Sequence, residues 1–199
     1  MNDEASDSPN GWSADSKAVL FDSDLNGRLG IFKRGISGSA SENLVPGPQD
    51  ECDPQLSSDG AWILYLEKAS SPASTVQKCR LMRIPANGGV PHFVMDTRNP
   101  NDFHCAHAPA SLCVVYETSE DRKQFLITAF DPLKGRGKVL RAVEPDVSKG
   151  YFADLSPDGS TFAFALRRFR PRNHGEGLAE HHRSAMVAWR NGILRRIPN

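Results

Sequence analysis

A four-residue turn recurs along this chain at Ser13-Ala14-Asp15-Ser16, Ser57-Ser58-Asp59-Gly60, Ala108-Pro109-Ala110-Ser111 and Ser156-Pro157-Asp158-Gly159. The copies start 44, 51 and 48 residues apart, and an apolar run directly follows each one. Self-similarity at this period is the signature of a radially repeated, four-stranded blade. In the copy at 156–159 proline presets φ, aspartate bonds its own backbone, and glycine takes the left-handed conformation that closes a short hairpin. Ser16 stands where glycine is wanted, at a cost of about 1 kcal/mol. The copy at 108–111 lacks both aspartate and glycine, so its turn is expected to be of another type.

The runs behind the turns are Ala18 to Phe21, Trp62 to Leu66, Cys113 to Tyr116 and Phe162 to Leu166. They are apolar at consecutive positions. Strand side chains alternate between faces, so such a run is buried on both sides, as in a sheet held between two others. A third strand follows in each unit, at Leu29 to Lys33, Arg80 to Ile84, Phe125 to Phe130 and Ala185 to Trp189. Turn signals then lead to a short fourth strand around Leu44-Val45, Phe93-Val94, Val139-Leu140 and Ile193 to Ile197. A β-sandwich would also suit strands at this spacing; repetition of the whole four-strand unit favours a β-propeller. No stretch sustains a helical period. The expectation is an all-β propeller segment over 11–199, with blades near 11–50, 51–100, 101–148 and 149–199, after a disordered acidic leader at 1–10.

The run from Gly11-Trp12-Ser13-Ala14-Asp15 to Phe21, followed by Asn26-Gly27-Arg28-Leu29-Gly30-Ile31-Phe32, resembles the propeller repeats of the TolB family. The likeness covers 11–199 and is weakest at the turn of the third unit. It is also similar to the propeller segments that follow winged-helix or serine/threonine-kinase domains in some bacterial regulators. The resemblance implies a propeller of six or seven blades, so four units read as an incomplete or open ring. If each bare blade face exposes about 400 Å² of apolar surface, burial at about 25 cal/mol per Å² is worth about 10 kcal/mol. The chain is therefore expected to self-associate or to need further blades from a missing segment.

Formal net charge is zero, but it is unevenly placed. Residues 1–60 hold 4 Lys/Arg against 11 Asp/Glu, a balance of −7, and residues 134–199 hold 13 against 6, a balance of +7. Opposite signs at the two ends favour head-to-tail contact. No run is long enough to span a membrane. The leader lacks the basic start and apolar centre of a secretory signal, which points to the cytoplasm unless an address lies upstream; the resemblance points to an extracytoplasmic compartment.

Arg167, Arg168, Arg170, Arg172 and Arg183, with three histidines, make the connection between the second and third strands of the last unit basic. It is a candidate interaction loop for an anionic partner, against a plainer reading as a solvated insertion. With Phe169 as its one aromatic residue it offers little base stacking, and no specific nucleic-acid binding is expected. Cys105 and Cys113 flank the turn of the third unit, so a cross-strand disulfide is possible beside the default of buried thiols. The sequence His104-Cys105-x-His107 invites a zinc reading, but alternation points His104 and Cys105 to opposite faces. Asp50, Glu51 and Asp53 read as an exposed acidic cluster that could draw a cation or basic peptide if it lined the channel.

No Gly-x-Ser-x-Gly elbow and no phosphate-binding glycine loop occurs, so no catalytic residue, metal or cofactor is assigned. The expected function is a non-catalytic binding module or scaffold for protein or peptide partners. The alternatives are the sensory propeller region of a larger bacterial signalling protein, kinase or winged-helix regulator, and the propeller gate of a serine peptidase.

Overall fold

The computed structural model describes residues 5–38, 40–68, 78–98, 102–144, 151–167, 184–190 and 193–196, with 151–152 and everything from 164 onward described by backbone alone. Blade 1 holds β1 (Asp7–Trp12), β2 (Ala18–Ser23), β3 (Gly30–Gly35) and β4 (Ser41–Asn43), and blade 2 holds β5 (Glu51–Leu56), β6 (Trp62–Lys68), β7 (Lys78–Pro85) and β8 (His92–Arg98). Blade 3 holds β9 (Asp102–Cys105), β10 (Cys113–Thr118), β11 (Phe125–Asp131) and β12 (Gly135–Val143). Blade 4 holds β13 (Tyr151–Leu155), β14 (Thr161–Arg167), β15 (Ser184–Arg190) and β16 (Ile193–Arg196). Each sheet is an antiparallel run of four consecutive strands, and none borrows a strand from elsewhere in the described chain.

The second strands carry the interfaces, as their two-sided apolar runs require. Ile63 and Tyr65 of β6 pack back onto Leu20 and Ile31 of blade 1, whereas Leu64 and Leu66 pack forward with Phe103, Cys113 and Val115 of blade 3. Val114 and Tyr116 of β10 turn forward again, onto Leu155 and Phe162 of blade 4. Each interface is thus filled by alternate residues of one strand. The first strands β1, β5, β9 and β13 approach one another in succession, which places them nearest the common axis.

The expectation of a disordered leader over 1–10 fails at its second half. Residues 7–10 belong to β1, and the Ser6 amide donates to Asp24 at 2.8 Å. A strand partner in β2 satisfies the backbone there despite the polar sequence. The fourth strand of blade 1 is Ser41–Asn43, ahead of the expected Leu44-Val45; Val45 is instead buried between blades 1 and 2. The far side of blade 1 is not bare either, because Phe21 stacks on Phe32 at 5.7 Å and both are buried.

The recurring turn has one geometry. Ser13 Oγ donates to Asp15 at 2.7 Å and accepts from the Ala18 amide, while Asp15 also accepts from the Lys17 amide. The same bonds tie Ser57, Asp59, Ala61 and Trp62, and again Ser156, Asp158, Ser160 and Thr161. The left-handed positions are Ser16, Gly60 and Gly159, at φ 57°, 69° and 68°. A further copy lies at Ser119-Glu120-Asp121-Arg122, with Arg122 at φ 59°, in the hairpin between β10 and β11. The motif therefore marks a tight hairpin and not a fixed place in the blade. Between β9 and β10 the chain turns through a cis Ala108-Pro109 bond instead.

Candidate interaction face and axial polar chain

Among the described residues, the turns that join first to second strands, and third to fourth, lie at one end of the blades. The Ile36 amide donates to the Lys17 carbonyl, and the Ala86 amide to the Ala61 carbonyl, joining the two turns within a blade. Turns also bond between blades: the Ala108 amide donates to Ser58 O at 3.1 Å, and the His107 amide to Pro157 O at 2.7 Å. The result is a braced rim of main chain across blades 2, 3 and 4.

This end is also where the exposed apolar side chains gather. Seven large hydrophobic residues are exposed among those described, and five of them, Trp12, Ile36, Val90, Phe93 and Leu133, stand at or beside these turns at 54–71% exposure. Ile36, Val90 and Leu133 occupy the equivalent turn, between third and fourth strands, in three consecutive blades. Arg34, His92 and Lys134 lie within two residues of them in sequence and are exposed. Asp15 and Asp59 are held ionised below the usual carboxylate range, first by the Ser13 and Ser57 hydroxyls and then by backbone amides.

Near the axis a polar chain crosses three blades. Gln55 Nε2 donates to Asp102 Oδ1 at 3.3 Å, Asp102 Oδ2 lies 3.1 Å from His104 Nε2, and His104 Nδ1 lies 3.8 Å from Asp154. The His104 ring also meets the Ala153 carbonyl and the edge of Tyr116. Burial pulls the imidazole's pKa down, but Asp102 and then Asp154 outweigh it, so the net shift is upward. Asp53, in the same first-strand layer at φ 57°, donates its amide to Asp22; burial and the nearby Asp102 and Asp22 raise its carboxyl.

The acidic cluster is only partly the exposed one expected. Asp50 is exposed, but Glu51 lies inside β5, directly opposite Glu67, and both are buried. Burial, then the Glu67 charge, pushes Glu51 up to about 7. Glu67 forms an ion pair with Arg80. In blade 3 the equivalent buried carboxylate, Glu117, is held by both nitrogens of Arg136 at 2.7 and 2.9 Å. Sequence reading missed Glu67 and Glu117, although a glutamate closing each of two apolar strands was a visible signal.

Of the expected site residues, Cys105 and Cys113 are brought together as a disulfide across directly paired positions of β9 and β10. His104 faces blade 4 and Cys105 packs toward blade 2, so the zinc reading has no shared face. Arg167 ends β14, paired with Ser184 at the end of the blade opposite the turns. Arg168, Arg170, Arg172 and Arg183 lie outside the described residues.

Four consecutive four-stranded antiparallel blades around an axis define a β-propeller. No family model matches the chain, and no curated protein matches it. Among solved structures it is similar to the β-propeller domain of the Trilobed protease from Pyrococcus furiosus, described as having an open velcro topology, at 10% identity and a TM-score of 0.58. It is also similar to a putative TolB from Agrobacterium tumefaciens, at 15% identity, a TM-score of 0.47, and coverage of 98% of this chain and 81% of that one. A puromycin-hydrolyzing peptidase of Mycobacterium tuberculosis matches at 12% identity and 0.49, covering 96% and 38%. The match to the Trilobed protease propeller covers 98% of this chain but 57% of that one. At these identities the likeness is one of fold, in agreement with the β-propeller read from the sequence.

Proposed function

We propose that the chain is a non-catalytic binding module that docks a protein or peptide partner on the turn face. The observation that carries this reading is the recurrence of one exposed apolar side chain, Ile36, Val90 and Leu133, at the same turn of three successive blades. Scattered apolar residues on a surface need no explanation, whereas a set gathered at one end of a rigid scaffold marks an interaction site. The hydrogen-bonded rim beneath fixes the backbone that presents them, so little ordering is needed on binding. Support for a non-catalytic role comes from where the chemical groups are spent. Ser13, Ser57, Ser119 and Ser156 are bonded into turns, and His104 is held by two aspartates.

The test is affinity capture from an extract of the source cells with the natural chain and with Ile36→Asp/Val90→Asp/Leu133→Asp, checked for equal melting temperature. Proteins retained by the natural chain should be lost from the triple variant and kept by Leu25→Asp, which alters the opposite end. Retention unaffected by the triple change would refute the assignment of this face.

A further inference from the structure

A cleft of about 330 Å³ opens between blades 2 and 3, away from the turn face, and is lined among others by Asp96, Arg98, Glu117, Glu120, Leu126 and Arg136. Its charges fall into two kinds. Glu117 is buried and satisfied, gripped by the Arg136 fork and accepting from the Arg98 amide at 3.0 Å. Arg136 also donates to the Asp96 carbonyl at 2.7 Å, so the pair fastens β8 to blade 3. Arg98, by contrast, reaches outward to Glu120 at 2.9 Å, with side chains 52% and 82% exposed. Exposed pairs of this kind contribute little and exchange readily. Asp96 and Arg98 are two residues apart on β8 and therefore share a face. Leu126 supplies an apolar wall.

We propose that this cleft binds a free α-amino acid, whose carboxylate takes Arg98 from Glu120 while its ammonium is received by Asp96. Two cations and three carboxylates line the space. Once the Glu117–Arg136 pair is set aside, Arg98 remains with two carboxylates: Glu120, bonded to it, and Asp96, two residues away on the same strand face. A zwitterion matches that arrangement, whereas a simple anion meets the carboxylates and a simple cation meets Arg98. Glu120, on the hairpin tip, is paired with Arg98 and acts as an internal competitor. A guanidinium fork gives the bidentate carboxylate contact that fixes the ligand's orientation. The turn face plays no part in this site, so either assignment can fail without the other.

Calorimetric titration of the full chain with L-leucine tests it, alongside 4-methylvalerate, which lacks the ammonium, and isoamylamine, which lacks the carboxylate. Saturable binding of L-leucine is expected, with neither analogue matching it, and with shifts at the Leu126 methyl resonances. Arg98→Met and Asp96→Asn should each weaken binding by about tenfold or more. Glu120→Gln should tighten it, and because that side chain is exposed the variant remains informative if Arg98→Met fails to fold. Three outcomes overturn the proposal: no saturable binding up to millimolar L-leucine, an analogue that binds as tightly, or L-leucine affinity unchanged in Arg98→Met or Glu120→Gln.

Discussion

Ser16 and Gly159 stand at the same left-handed position of the same turn, and only one of them is glycine. An L-residue there costs about 1 kcal/mol, part of which glycine returns through its greater freedom in the unfolded chain. Ser16→Gly is therefore expected to stabilise by up to about 1 kcal/mol in urea unfolding, and a loss of stability would disprove the strain argument. Gly159→Val should destabilise by more than 1 kcal/mol as a rough figure, since a Cβ there would lie 3.1 Å from the Ala106 Cβ across the blade junction. Glu51 governs a pH effect. Its folded pKa of about 7 lies above its ordinary value of 4.5, so the protonated form favours folding. Stability is fully present below pH 4.5 and falls as pH rises through 7, by at most about 3 kcal/mol. Glu51→Gln should raise the melting temperature at pH 8 and leave it unchanged at pH 4. His104, also raised, adds stability below its ordinary pKa of 6.5 that is lost as pH climbs through the folded value. A His104→Gln variant with the natural pH profile between 6 and 8 would remove that contribution.

At the scale of elements, pairing decides what adjacency in sequence leaves open. Cys105 and Cys113 are opposite one another because β9 and β10 are in register, with Cα atoms 4.0 Å apart. Peptide mapping of protein isolated without reductant should recover them joined, while two alkylatable thiols would show that the strands meet without the bond. The turn motif teaches a similar point. Its chemistry was legible in Ser-x-Asp-Gly, because serine and aspartate reach the same backbone amides wherever they occur. Its place in the blade was not, since Ser119 to Arg122 closes a different hairpin with the same bonds.

For the whole molecule, the first 60 residues carry −7 and the last 66 carry +7. The aromatic pair at the far side of blade 1 is buried, and opposite charge is an attraction that end-to-end contact between two copies would use. Sedimentation at low ionic strength should show association that is lost at high salt, where the screening length shrinks to about 3 Å. A monomer under both conditions would contradict end-to-end contact. What the sequence determined by itself was the modular plan: consecutive apolar residues demand burial on both faces, and turn residues at a repeating interval demand four-stranded hairpin units. Only the tertiary structure decided which side chains share a place. Ile36, Val90 and Leu133 are more than forty residues apart and form one face because the blades stack in parallel orientation. Glu51 and Glu67 are buried together because β5 and β6 pair in register, and Arg98 meets Glu120 because blade 3 packs against blade 2. Periodicity along the chain records which way a side chain points; it does not record what another blade brings to meet it.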